Sequence, residues 1–165
     1  MFPVMKPLNS IEFPFEYVIL PHFGKVFYPF ISVSLKTIDK GWVDFRFIVD
    51  TGADLTTLPF FMASKLGVSL EKCRRGKAEG IGGVVVETWE TEIPIRLKNF
   101  EFWIRCSIVE DEQTPFLLGR IDVLEKNFSL FFDCRKRKII FREINDECWF
   151  SFLWRRAKNW VHTFR

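Results

Sequence analysis

An all-β domain is predicted, on three observations. Val26 to Lys36 alternates, Phe30, Ser32 and Ser34 against Ile31, Val33 and Leu35, which is the period of a half-buried strand. Turn clusters such as Asp39-Lys40-Gly41 and Gly80-Ile81-Gly82-Gly83 separate runs rich in β-branched and aromatic residues, and so mark hairpins. Helical patterns are brief. At 165 residues and 48% hydrophobic, the chain is the size of one domain with a core of its own.

Residues 1–25 carry Pro3, Pro7, Pro14 and Pro21 among apolar residues, so neither a helix nor a regular central strand fits. An extended arm packed on a protein body is expected there, and the domain proper over 26–144. Trp42 to Val49 returns as the hairpin partner of Val26 to Lys36. Phe60 to Leu66 reads as a short helix, with Pro59 near its start and Gly67 as its stop signal. Residues 68–79 are ambiguous, with a solvated turn around 72–76 as one reading. Strands follow near Val84 to Leu97 and Glu101 to Val109, joined around Lys98-Asn99. Glu110 to Gln113 is an acidic loop, Ile121 to Glu125 a short helix closed by Asn127, and Phe128 to Asp133 with Lys138 to Arg142 a last hairpin. In the tail, 145–165, Trp149, Leu153, Trp160 and Phe164 fall near one helical face, with basic residues elsewhere. An amphipathic helix is expected, packed on protein in preference to a membrane surface.

Composition narrows the function. Lys plus Arg number 24 and Asp plus Glu 21, and the net charge of +3 is too small and scattered for a nucleic-acid partner. The dense basic run Arg135 to Lys138 sits between apolar segments and suits a solvated turn. Cys73, Cys106, Cys134 and Cys148 show no C-x-x-C spacing, so no zinc site or other metal constellation is expected, and no cofactor. His22 and His162 have no Ser or Cys pattern beside them that would suggest nucleophilic catalysis. No secretory signal opens the sequence, which points to a reducing cytoplasm and free thiols. With 20 Phe and 6 Trp, some rings are expected to cover a subunit interface as well as a core.

One stretch organises the rest. The run Phe45 to Val49 should be a buried strand, and it ends in Asp50-Thr51-Gly52. A carboxylate is thereby held on a tight turn at the mouth of the core, where partial desolvation makes its charge costly. Asp-Thr-Gly is also ordinary turn chemistry, so the tripeptide alone decides nothing. Two further stretches do more: the glycine-rich tip Glu79 to Val86, and Pro115 to Leu124, which runs through Leu117-Leu118-Gly119-Arg120. In this order, Asp50-Thr51-Gly52-Ala53-Asp54, Gly80-Ile81-Gly82-Gly83 and Leu117-Leu118-Gly119-Arg120 resemble the retroviral-type aspartic proteases, single-domain relatives of pepsin. The resemblance covers most of residues 42–142.

That resemblance implies a retropepsin-like fold, a closed or partly open β-barrel with a flap hairpin and one or two short helices. It implies an aspartic endopeptidase with Asp50 as catalytic acid, Thr51 bonding across a two-fold axis, and Gly52 letting substrate backbone approach. Ala53, Asp54, Gly80, Ile81, Gly82, Gly83, Val84, Leu117, Leu118 and Arg120 would meet the substrate, with Asp54 and Arg120 as an ion pair and Ile81 offering its N–H from the flap. Leu117 and Leu118 would also support the catalytic turn by packing. One carboxylate must be ionised and one protonated, and only one Asp-Thr-Gly is present. A homodimer with an Asp50–Asp50 dyad is therefore expected. The family usually builds its interface from chain termini, and both termini here depart from the viral pattern. The alternative is a catalytically silent dimerisation or peptide-binding module of the same fold.

Overall fold

The computed structural model describes residues 9–80 and 83–144. The expected C-terminal helix over 145–165 lies outside them, as do Ile81 and Gly82 of the expected flap tip.

The strands are β1 (Ser10–Pro14), β2 (Glu16–Leu20), β3 (Gly24–Tyr28), β4 (Phe30–Thr37), β5 (Gly41–Val49), β6 (Thr56–Pro59), β7 (Arg74–Glu79), β8 (Val85–Leu97), β9 (Phe100–Val109), β10 (Leu117–Leu118), β11 (Phe128–Asp133) and β12 (Lys138–Glu143). One five-residue helix, α1 (Met62–Leu66), ends as expected at Gly67, whose φ of 69° is the left-handed cap that favours glycine. The described residues are all-β apart from α1 and one 3-10 turn.

Seven strands form the main sheet in the order β4-β5-β10-β6-β9-β8-β7. A further pairing of β4 with β8, Ser34 opposite Arg96 and Leu35 opposite Ile95, closes this sheet on itself and leaves β7 outside the closure. The alternation read in β4 is what closure requires. Ile31, Val33 and Leu35 point inward and are fully buried, beside Phe47, Leu58, Ile95, Leu97, Ile104, Ile108 and Leu118. Cys106 lies in this core, and burial pushes its thiol up to about 12, so it stays a small apolar filler and is no nucleophile.

A second, three-stranded sheet runs β1-β12-β11. Its inner face is aromatic: Phe13 meets Phe141 edge-on at 5.8 Å, Phe141 meets Phe128 at 6.0 Å, and Phe128 meets Phe100 of β9 at 5.6 Å. These T-shaped contacts join the small sheet to the barrel.

Several expectations are corrected. The expected strand Val26 to Lys36 is broken at Pro29, which has no N–H to give a ladder; its carbonyl instead accepts the Val49 N–H at 2.9 Å. The proline-rich arm is more regular than read. β1 is an edge strand of the small sheet with Pro14 at its end, while β2 and β3 form a separate ribbon, so a boundary at residue 25 would cut β3. Within 68–79 the solvated turn gives way to a single 3-10 turn, Leu70–Lys72, and to β7 beginning at Arg74. No continuous helix forms over Ile121 to Glu125. Arg120 O accepts both the Leu124 and Glu125 N–H groups and Val123 O both those of Asn127 and Phe128, a run of turns pinned between the barrel and β11.

That run buries Asp122. Its carboxylate accepts the Arg105 backbone N–H and Nε, both at 2.9 Å, Arg105 Nη2 at 3.0 Å and Lys126 Nζ at 2.5 Å. The Arg105 hydrogen bonds hold this carboxyl well below the usual carboxylate range. A depressed folded-state pKa stabilises the protein above the unfolded value of about 3.9, and that contribution is lost as pH falls from there toward the folded value. Asp122→Asn should therefore lower unfolding free energy by about 2–3 kcal/mol at pH 7. Urea titrations from pH 6 to pH 2 should show a shallower acid loss in the variant than in the native chain; parallel curves would refute the assignment.

Candidate active site

The site begins where β5 stops pairing. Ile48 donates its N–H to Phe116 O at 2.9 Å and Asp50 its own to Leu118 O at 3.1 Å, so β10 runs parallel to β5 up to the acid. The chain then turns through Thr51 and Gly52, both exposed, and the Gly52 N–H donates to Asp50 Oδ1 at 2.9 Å. The half-buried carboxylate is thus oriented by its own turn. A Cβ on Gly52 would stand 3.2 Å from that oxygen and crowd the face that the turn leaves open.

The far side of the turn is held by the same inserted segment. Arg120 donates its N–H to Ala53 O at 3.0 Å and Ile121 to Asp54 O at 3.1 Å. Gly119 donates to Thr56 Oγ1 at 3.3 Å in a buried contact. A Cβ on Gly119 would lie 2.3 Å from the Leu55 carbonyl carbon and 2.6 Å from Thr56 N, so no side chain fits between the two backbones.

Beside the turn, Arg120 Nη2 bonds Asp54 Oδ1 at 2.7 Å, the pair expected from the sequence, while Nη1 bonds Glu125. Both carboxylates stabilise the charged guanidinium, Asp54 foremost. The arrangement is an oriented acid on a turn bonded along both flanks, next to a clamped arginine.

A family model described as "gag-polyprotein putative aspartyl protease" matches residues 37–126, more than half of the chain. The chain belongs to this family of aspartyl proteases. Among solved structures it is similar to a retropepsin-like aspartic protease from Rickettsia conorii, at 20% identity, over 87% of this chain and 98% of that one, with a TM-score of 0.56. It is also similar to the retroviral protease-like domain of Ddi1 from Leishmania major, at 16% identity, over 73% and 97% of the two chains, with a TM-score of 0.51. No curated protein matches its sequence. At these identities the likeness to solved structures speaks for the fold.

The structure brings together Asp50, Thr51, Gly52, Ala53, Asp54, Leu117, Leu118, Gly119 and Arg120 through the contacts above. Gly80, Gly83 and Val84 stand apart at the tip of the β7–β8 hairpin. Gly83 donates to Gly80 O at 3.1 Å with φ at 75°, and Val84 is exposed. Leu118 is corrected. It was expected both to pack and to line a substrate subsite, but its side chain is fully buried beneath the turn, so packing is its whole task. Leu117 is only half-buried, opposite Ile48 and Thr57. Sequence reasoning missed Thr56 and Glu125. A threonine in a short strand carries no distinctive signal, and Glu125 reaches Arg120 only because the expected helix is a run of turns.

Gly119→Ala tests the steric argument. Forcing a Cβ into two backbones should cost at least about 3 kcal/mol and lower the melting temperature by about 10 °C or more. A calorimetric scan that leaves the melting temperature in place would show that the segment is not so tightly seated.

Proposed function

We propose that this protein is an aspartic endopeptidase that cleaves extended polypeptides as a homodimer, with one Asp50 from each subunit. The observation that carries the reading is the Asp50 turn. A carboxylate is oriented by the Gly52 amide, exposed at its front and fixed from behind by β10. Membership of the aspartyl protease family supports the same chemistry.

Hydrolysis needs a base to take a proton from water and an acid to protonate the carbonyl oxygen. Two carboxylates held close share one proton because both cannot ionise cheaply, the arrangement for which aspartic proteases are the standard example. The ionised Asp50 removes a proton as water attacks the peptide carbonyl carbon, and the protonated Asp50 of the other subunit gives its proton to the carbonyl oxygen. Collapse of the tetrahedral intermediate breaks the C–N bond: the amine leaves with a proton from one carboxyl group while a hydroxyl of the intermediate returns its proton to the other carboxylate. Two carboxyl groups and one shared proton are restored.

Around that centre, Thr51 would bond its counterpart across the axis and Asp54, steadied by Arg120, would accept a hydrogen bond from substrate backbone. The glycine-rich tip from Gly80 to Gly83 would close over the peptide, and Val84 would supply an apolar wall.

Because the pair works with one shared proton, cleavage should follow a bell-shaped pH profile, lost when a second proton binds and lost when the first leaves. Asp50→Asn should reduce cleavage of a mixed peptide library by about 10²–10⁴-fold or more, with dimerisation retained. A statine-type analogue should block the native activity. A native dimer that cuts no peptide at any pH would instead indicate a peptide-binding module of the same fold.

A further inference from the structure

The main sheet closes through β4 and β8, and β7 is left with one free edge. Its alternation is fixed at the tip. The Gly80 N–H donates to Val84 O at 3.2 Å, so the bonded pairs toward β8 recur at Ala78, Gly76 and Arg74. The neighbouring strand agrees, since the Glu110 N–H donates to Glu87 O at 3.0 Å and so turns Glu87, the partner of Lys77, toward β9. The N–H and C=O groups of Arg75, Lys77 and Glu79 therefore point away from the sheet. Among the described residues nothing pairs with them.

This edge is basic. Lys72, Arg74, Arg75 and Lys77 lie close together in sequence and all are exposed. The strand's own cations divide between its two faces. Arg74 stands opposite Glu90, its guanidinium 3.8 Å from the carboxylate, and Gly76 and Ala78 follow on that face without charge. Arg75 and Lys77 share the other face, opposite Trp89 and Glu87, and among the described residues neither forms an ion pair. Trp89 is buried against Phe60 at 5.4 Å between ring centroids, so the root of the hairpin that carries these cations is anchored on the barrel. An edge so charged repels uncharged or basic strands, because pairing would desolvate the cations or set like charges opposite each other. It admits an acidic one.

We propose that the free edge of β7 docks an extended acidic stretch of the substrate, with Arg75 and Lys77 selecting carboxylates at alternate positions. The inference rests on the peptidase reading above and names the class of substrate that site would take. In that reading the tip beyond Glu79 closes over the peptide, and the strand leading to the tip offers peptide backbone an open ladder. An added strand exchanges bonds with Arg75, Lys77 and Glu79, which places its residues opposite Arg75 and Lys77 on the face those cations share. The residue between them falls on the face of Gly76, where there is no charge to meet. A Glu-x-Glu or Asp-x-Asp spacing is therefore selected over two adjacent acids, since an adjacent pair reaches only one of the two cations. Glu79 continues the same row toward the tip and disfavours a third acid there. On the homodimeric reading each half of the peptide meets one such edge, so an acidic stretch on either side of the scissile bond is accepted.

Matched peptides test this. They share one cleaved core and carry Glu-x-Glu, Gln-x-Gln, Lys-x-Lys or adjacent Glu-Glu in the flank; cleavage by the native chain is measured beside binding to the Asp50→Asn chain by fluorescence anisotropy. The Glu-x-Glu peptide should be cleaved with about tenfold higher kcat/KM than the Gln-x-Gln peptide, through KM, and should bind Asp50→Asn about tenfold more tightly. Adjacent Glu-Glu should gain only about threefold. Both preferences should largely vanish at about 0.5 M salt. Arg75→Glu combined with Lys77→Glu should invert the order in favour of Lys-x-Lys, while cleavage of the Gln-x-Gln peptide and the melting temperature stay in place, because both side chains are exposed. Equal gains from alternate and adjacent acids, or an acid preference that the charge reversal leaves in place, would each overturn the docking edge. Cleavage indifferent to flank charge would also overturn it and leave the peptidase reading standing. Acid-selective binding by Asp50→Asn that the reversal inverts, with a native chain that cuts nothing, would support the edge and remove the peptidase.

Discussion

The backbone of Phe116 to Ile121 lies between β5 and β6, two strands that lead into and out of the Asp50 turn, and it bonds to both sides of that turn. Apart from the Arg120–Asp54 side-chain pair, the hydrogen bonds between this segment and residues 48–54 are backbone to backbone, so the seating of the turn does not depend on side-chain rotamers. The insertion is possible only because Gly119 presents no Cβ to Leu55 and Thr56. From this one passage follow the direction of the Asp50 carboxylate, the exposure of Thr51 and Gly52, and the placement of Arg120 beside Asp54. A loop held only by its own side chains would sample several arrangements, whereas one bonded along both flanks by a buried strand has one.

A rigid turn with a single acid has a further consequence. In the proposed homodimer each chain supplies one carboxylate and leaves the second half of the chemistry to association. On that reading folding, dimerisation and activity are linked by mass action, since anything that favours the paired state also favours the assembled site. The β7–β8 hairpin lies on the other side of this balance: β7 stands outside the closure of the barrel, its own residues are exposed or half-buried, and its tip is a glycine turn. The segment beneath Asp50 is thus bonded along both flanks, whereas the hairpin is bonded along one.

Much of this was legible in the sequence, and for identifiable reasons. Alternation in β4 and the apolar run of β5 announced strands because one buried face imposes a period of two. Asp50-Thr51-Gly52 announced a turn because acid, hydroxyl and glycine each solve part of its backbone problem. Gly67 announced a helix end through its left-handed φ. What stayed hidden depends on partners remote in sequence. The Arg105–Asp122 contact joins β9 to the turns before β11, and no local pattern marks it. Pro29 was read through because a single proline in an alternating run still permits extended backbone, while its effect on the ladder depends on the neighbouring strand. The expected helix at Ile121 gives way to turns in which Arg120 O and Val123 O each accept two N–H groups, and the stretch is too short for a regular helix to propagate before β11 begins.

The two sheets therefore divide the work, and the aromatic seam between them decides how far one constrains the other. Phe13, Phe141, Phe128 and Phe100 meet in successive edge-to-face contacts that run from β1 through β12 and β11 to β9. β9 pairs in parallel with β6, and β6 receives the chain directly from the catalytic turn. Interiors packed at this density transmit displacement instead of absorbing it. The small sheet is consequently held fixed relative to Asp50, with no flexible linker between the two.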